Sequence, residues 1–103
     1  MDATFATPVA VQPLLLGADI VLHSSTKYLG GHSDLMGGVL VSQAPQIHAK
    51  LRTVRLRLGN VMGAMETFLL LRSLRTLSLR VERQSHSALQ VVSWLSEQPA
   101  VET

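Results

Sequence analysis

The first 44 residues join short apolar runs through proline and glycine, a pattern typical of short strands connected by turns. Residues 13–17 predict one helical turn, because proline stands at its start and glycine at its end. The run at 20–23 predicts a short strand, and residues 37–41 predict a second one entered through two glycines. Neither run alternates apolar with polar residues. We therefore expect both strands to be buried on both faces, as in an α/β sheet.

After Pro45 the apolar spacing becomes helical. Apolar side chains recur three or four residues apart from Ile47 to Leu58, and Gly59 ends this first predicted helix. A second apolar pattern runs from Val61 to Pro99 and predicts a long helix or two abutting helices. Its plausible points of bending are Ser73, Thr76 and Ser78.

Residues 68–71 are all apolar, so this part of the predicted helix has apolar side chains on nearly every side. Such a segment is normally buried against more than one neighbour. A chain of 103 residues supplies few neighbours, so we expect a partner subunit or a further part of a longer chain to cover it.

Length and composition narrow the class of protein. The 103 residues are 47% hydrophobic and 16% charged, which allows one small domain. No stretch of about 20 apolar residues is present, so we expect no membrane partner. The absence of cysteine excludes disulfides and thiolate metal ligands. The first residues lack the layout of a signal peptide, so a cytoplasmic location is the default expectation.

The charge distribution leaves one alternative open. Net charge is +2, but most of the basic residues lie between positions 50 and 83. A basic helical nucleic-acid binder is therefore conceivable, although we favour a solvated helix face and expect no nucleic-acid partner. The four histidines are spread too widely to indicate a zinc site, and we expect no metal.

Candidate chemistry is concentrated where the first predicted strand ends. Ser24, Ser25 and Thr26 supply hydroxyl groups suited to a phosphate, and Lys27 follows at once. Ligands of open α/β sheets lie beyond the carboxyl ends of strands. A lysine amine, unlike an arginine, captures a carbonyl compound covalently, and Lys27 is one of only two lysines. Asp2, 25 positions earlier, is a candidate partner for a pyridinium nitrogen, so the set fits pyridoxal phosphate.

A rival interpretation takes the same segment as the Ser-x-x-Lys motif of penicillin-binding proteins and serine β-lactamases. Those enzymes also need Ser-Asp-Asn and Lys-Thr-Gly segments. Neither occurs in the sequence, so we disfavour this interpretation.

Several segments together resemble the Cys/Met-metabolism family of pyridoxal-phosphate enzymes, which includes cystathionine γ-synthase, the cystathionine lyases and O-acetylhomoserine sulfhydrylase. The matching segments are residues 2–8, 12–14, 17–21, 23–28, 31–34 and 68–77. The resemblance covers essentially the whole chain. It implies an α/β fold in which residues 1–103 are part of the large cofactor-binding domain of a type I enzyme, with few short strands followed by long helices. Residues 1–44 would be the strand and loop part with the cofactor lysine, and residues 45–103 the helical part leading toward a C-terminal domain.

The resemblance also implies roles for individual residues. Lys27 matches the lysine that binds the cofactor aldehyde and later moves protons. Asp2 matches the acid that keeps the pyridinium nitrogen protonated. Ser24 and Thr26 match hydroxyls that hold the phosphate, and Thr4 matches a residue near the ring. Ala3 stands where the family pattern usually has asparagine.

The implied activity is elimination at the β or γ carbon, or replacement at the γ carbon, of a sulfur-containing or O-acylated amino acid, in a homo-oligomer. The family's phosphate loop, ring-stacking aromatic and substrate-carboxylate arginine have no counterpart in these residues. We therefore expect a truncated form that is inactive alone. The alternative is a non-catalytic interaction module derived from such an enzyme.

Overall fold

The computed structural model describes residues 1–101. Its first half contains helix α1 (Thr7–Ala10), a 3₁₀ turn (Pro13–Leu16), strand β1 (Val21–Ser24), a π-helical turn (Ser25–Leu29) and strand β2 (Gly38–Val41). Its second half contains helices α2 (Pro45–Leu58), α3 (Ala64–Leu74) and α4 (Leu77–Ser96).

Strand β1 lies at the centre of a small sheet. On one edge it pairs antiparallel with β2, with Val21 opposite Val41. On the other edge the N-terminal segment runs parallel to it, because Asp2 forms a bridge with Leu22. The Leu22 N–H donates to the Met1 carbonyl, and the Leu22 carbonyl accepts from the Ala3 N–H, both at 2.9 Å. Residues 1–3 and β1 therefore end side by side.

The strands are less buried than their composition indicates. In β1, Val21 and His23 are buried but Leu22 is 41% exposed, and in β2 Leu40 is 49% exposed. The prediction of burial on both faces is thus wrong for residues 1–101, because the described chain packs against only one face of the sheet.

The predicted helices are present with small shifts at their ends. Helix α2 begins at Pro45 and ends before Gly59, which has the left-handed φ of +70° that favours glycine. The longer pattern is divided into α3 and α4 by a break at Arg75 and Thr76. The Thr76 hydroxyl donates to the Ser73 carbonyl at 3.2 Å, so two of the predicted bending points form the break.

The core joins the π-helical turn to α3 and α4. Its buried members are the apolar side chains Leu29, Leu35, Leu70, Leu77 and Val81. Within the 68–71 segment, Leu70 is buried and the partly buried Leu69 packs against the core, whereas Phe68 and Leu71 are each 61% exposed. The radius of gyration is 17.0 Å, compared with about 13 Å for a compact domain of this length. Many apolar side chains of the helices are exposed, among them Leu58, Leu79 and Leu89. None of the helices in residues 1–101 is long and apolar enough to span a membrane.

Candidate cofactor site

Thr4 connects the N-terminal segment to the end of β1. Its buried hydroxyl oxygen accepts a 2.8 Å hydrogen bond from the Ser24 N–H. Its own N–H donates to Asp2 Oδ1 at 2.9 Å. Thr4 thus holds the carboxylate of Asp2 and the main chain of Ser24, the first of the three hydroxyl residues before Lys27, at the same edge of the sheet.

The surroundings of Asp2 favour its ionised form. The Thr4 hydroxyl, followed by the Thr4 N–H, lowers the pKa of this carboxyl below its ordinary value, and the nearby His23 and N-terminal ammonium lower it further. At neutral pH the group is a carboxylate, which is the state needed to pair with a protonated ring nitrogen.

Lys27 lies in the π-helical turn that follows β1. Its backbone leaves helical geometry, with φ −86° and ψ −117°. The turn closes around it, because the Gly30 N–H donates to the Ser25 carbonyl at 2.8 Å and the Gly31 N–H to the Lys27 carbonyl at 2.6 Å. The Lys27 side chain is exposed. The fold therefore holds the main chain of this lysine while leaving its amine accessible.

The three hydroxyl residues before Lys27 differ in surroundings. Ser24 and Thr26 are half-buried. Thr26 Oγ1 accepts from the Gly37 N–H at 3.1 Å, which leaves its proton available for an anionic acceptor. Ser25 is fully buried, and its Oγ has no hydrogen-bond partner among residues 1–101. A phosphate at the strand end therefore has Ser24 and Thr26 as the accessible hydroxyls.

An open cleft of about 710 Å³ lies beside the turn and has Thr26, Lys27 and Tyr28 in its wall. Phe5 also lines it and meets Tyr28 edge to face, with ring centroids 6.0 Å apart. Of the predicted site residues, Thr26 and Lys27 reach this cleft. Asp2, Thr4 and Ser24 are instead joined to each other by the hydrogen bonds at the sheet edge.

Two further side chains support the turn after Lys27. Arg80 donates from Nη1 to the Tyr28 carbonyl at 2.9 Å and from Nη2 to the Leu29 carbonyl at 3.4 Å. His32 supports the turn through a 2.7 Å hydrogen bond between Nδ1 and the Gly30 carbonyl.

Sequence reasoning missed Arg80 because it lies among many arginines. One signal was present in the sequence. Arg80 lies near the N-terminus of α4, where the helix dipole disfavours a cation, so a specific contact of this side chain was to be expected.

The donor set at the strand end fits pyridoxal phosphate. An ionised carboxylate, two accessible hydroxyls and an exposed lysine amine are the anchors that this cofactor needs at its ring nitrogen, its phosphate and its aldehyde. Among residues 1–101, no cluster of three or more metal-ligating side chains is present. The chemistry of these donors thus fits a lysine-dependent cofactor site at the edge of an α/β sheet.

Comparison with known proteins agrees with this class. Residues 1–103 match the model of the Cys/Met metabolism PLP-dependent enzyme family, and the chain belongs to that family. It is 48% identical over its whole length to cystathionine gamma-lyase of Bacillus subtilis, and 45% identical over 101 residues to cystathionine gamma-synthase of Mycobacterium tuberculosis.

Solved structures superpose closely on the chain. A methionine gamma-lyase from Micromonospora echinospora, solved in its apo form, matches 99% of the chain with a TM-score of 0.96 and 49% identity. Cystathionine gamma-lyase from Lactobacillus plantarum, complexed with L-serine, matches 99% of it with a TM-score of 0.97 and 40% identity.

The chain spans only part of these relatives. It covers 27% of the Bacillus subtilis lyase and 28% of the Micromonospora echinospora chain. The similarity therefore defines the family and the fold of this segment.

Proposed function

We propose that the chain forms the lysine-bearing part of the cofactor site of a transsulfuration-type enzyme. The reaction class is elimination at the β or γ carbon, or replacement at the γ carbon, of a sulfur-containing or O-acylated amino acid. The observation that carries the proposal is the hydrogen-bonded connection from Asp2 through Thr4 to Ser24, which brings an ionised carboxylate to the strand end that leads into Lys27.

Each anchor has a distinct task in this proposal. Asp2 pairs with the ring nitrogen, Ser24 and Thr26 donate to the phosphate, and the Lys27 amine binds the aldehyde and carries a proton to or from the substrate. The cofactor, when bound, acts as an electron sink for the substrate carbon. Thr4 holds Asp2 and Ser24 in register, so its role is positioning.

The 103 residues alone are expected to bind the cofactor weakly and to show no useful turnover. The cleft beside Lys27 is open to solvent, and the chain corresponds to about 27% of its cystathionine gamma-lyase relative. An open site excludes water poorly, and catalysis of this kind depends on a dry, preorganised surrounding.

Covalent capture tests the proposal. The chain is mixed with pyridoxal phosphate, reduced with borohydride and mapped by peptide mass spectrometry. We expect the label on Lys27 in preference to Lys50 and the N-terminal amine. Lys27→Ala should lose the label and Lys50→Ala should keep it. Equal labelling of all three amines would contradict the proposal.

The second candidate function is a non-catalytic interaction module. It is favoured by the exposed apolar side chains of the helices, among them Leu56, Phe68 and Leu71. The labelling experiment at Lys27 separates the two functions, and sedimentation velocity tests the association that a module requires. A module of this kind associates with itself or with a longer family member through these helices and captures no cofactor, whereas the cofactor-site proposal requires capture at Lys27 whatever the association state.

A further inference from the structure

The guanidinium of Arg80 lies between the lysine-bearing turn and the α3–α4 break. Besides the bonds to Tyr28 and Leu29, its Nη2 donates to the Ser73 carbonyl at 3.0 Å and its Nε to the Thr76 hydroxyl at 3.1 Å. Arg80 is half-buried and reaches the turn across 52 residues of sequence. One side chain therefore binds main-chain carbonyl groups from two separate segments.

Two of the three carbonyls that Arg80 binds follow Lys27 directly. Tyr28 and Leu29 are the next two residues, and the two after them close the turn through the N–H groups of Gly30 and Gly31. The guanidinium also packs against Gly31, where a Cβ atom would collide with it. The main chain on the C-terminal side of Lys27 is thus fixed by Arg80, by the His32 bond to the Gly30 carbonyl and by two bonds within the turn, without strand pairing.

The arrangement depends on the shape of a guanidinium. Its planar fork presents several donors in fixed directions, whereas a lysine ammonium is a flexible point charge. A lysine at position 80 would keep the charge but would not hold the Tyr28, Leu29 and Ser73 carbonyls together.

We infer that Arg80 is a positioning residue for Lys27: its hydrogen bonds to the Tyr28 and Leu29 carbonyls fix the turn that aims the amine at the aldehyde of the cofactor. This role rests on the proposed function of Lys27. The hydrogen bonds themselves do not depend on that function, so the two are tested apart.

The test compares Arg80→Ala and Arg80→Lys with Arg83→Ala, which removes the same charge from an exposed position on α4. The first readout is amide hydrogen exchange without cofactor. We expect Arg80→Ala to speed exchange at Gly30 and Gly31 by about tenfold or more. The Leu22 amide, which donates within the sheet, should keep its rate, and Arg83→Ala should match the wild type.

The second readout is the ratio of borohydride-trapped label on Lys27 to that on Lys50, measured with pyridoxal phosphate and separately with acetaldehyde. Arg80→Ala should lower the ratio for pyridoxal phosphate by about tenfold, because this ligand must align with its phosphate and ring anchors. The ratio for acetaldehyde should not change, since a small aldehyde needs only an accessible amine. Arg80→Lys should fall between wild type and Arg80→Ala.

Several results would overturn the inference. The first is an unchanged rate of amide exchange at Gly30 and Gly31 in Arg80→Ala. The second is an equal change of the Lys27-to-Lys50 label ratio with pyridoxal phosphate and with acetaldehyde. The third is that Arg80→Ala and Arg83→Ala give the same exchange rates and label ratios. If Arg80→Ala also loses protection of the Leu22 amide, the fold itself is disturbed and Arg80→Lys becomes the decisive variant. A wild-type label ratio in Arg80→Lys then refutes the positioning role, whereas a lowered ratio with the Leu22 amide still protected supports it. If wild-type chain shows no preference for Lys27, the proposed function fails, and the exchange rates still decide whether Arg80 holds the turn.

Discussion

The Thr4 hydroxyl accepts a 2.8 Å hydrogen bond from the Ser24 N–H, across 20 residues of sequence. Thr4 is buried, so an apolar replacement would leave that N–H without an acceptor in a place water does not easily reach. The same threonine lowers the pKa of Asp2. One side chain thus couples the geometry of the sheet edge to the ionisation of its carboxylate.

Replacing Thr4 by valine should destabilise the fold by about 1–3 kcal/mol, the usual cost of a buried unpaired donor. Thr4→Ser keeps the hydroxyl and should stay closer to wild type. Thr67→Val is the matched control, because the Thr67 hydroxyl only donates back to the Gly63 carbonyl on an exposed helix face. Urea unfolding measures all three, and equal midpoints for Thr4→Val and Thr67→Val would refute the assigned role.

The ionisation of Asp2 should make stability depend on acid. Its pKa is lowered in the folded chain below the ordinary value of 3.8, so the unfolded chain binds the proton more tightly. The stabilisation is therefore present above the ordinary pKa and is lost as pH falls through the lowered one. Melting temperatures recorded from neutral to acid pH should show this decline in the wild type.

Two variants isolate the contribution of Asp2. Asp2→Asn should flatten part of the acid-induced decline, and Thr4→Val should move the NMR titration of the Asp2 carboxyl to higher pH. Asp19→Asn removes the same charge from an exposed turn and corrects for net charge. A wild-type pH slope in Asp2→Asn would count against this account.

Gly31 should tolerate substitution less well than Gly59, although both have left-handed backbone, with φ of +75° and +70°. Gly59→Ala meets no atom within 4 Å, so it should cost only the backbone penalty of about 1–2 kcal/mol. Gly31→Ala should cost more, because its methyl group displaces the Arg80 guanidinium. Chemical denaturation of the two variants gives the comparison, and equal costs would mean that the guanidinium moves away freely.

The neighbouring residues Leu70 and Leu71 should respond very differently to truncation. Leu70 is 8% exposed and packs in the core with Leu29 and Leu77, whereas Leu71 is 61% exposed. Leu70→Ala should cost about 2–5 kcal/mol, and Leu71→Ala within about 0.5 kcal/mol. Thermal unfolding of the two variants tests whether the core lies where the structure places it. A larger loss at Leu71 would show that another molecule covers that face in solution.

Local sequence patterns predicted the elements well where the local signal was strong. Pro45 and Gly59 flank an apolar spacing of three and four, and α2 occupies that range. The end of β1 at the hydroxyl residues before Lys27 follows from a β-branched run that stops at small polar side chains. Burial was the weaker inference, because the apolar character of Leu22 and Leu40 does not specify which faces of the sheet are covered.

The sequence by itself determined the two strands, the helical second half, the family and the chemical identities of Asp2, Thr4, Ser24, Thr26 and Lys27, because these depend on residue types at short range and on their spacing. It did not predict helix α1 or the π-helical turn that contains Lys27. Only the tertiary structure decided that Thr4 joins Asp2 to Ser24 and that Arg80 binds the carbonyls after Lys27. Those contacts link residues up to 52 positions apart. Their formation depends on how the helices pack against the sheet edge, and periodicity along the chain carries no record of that packing.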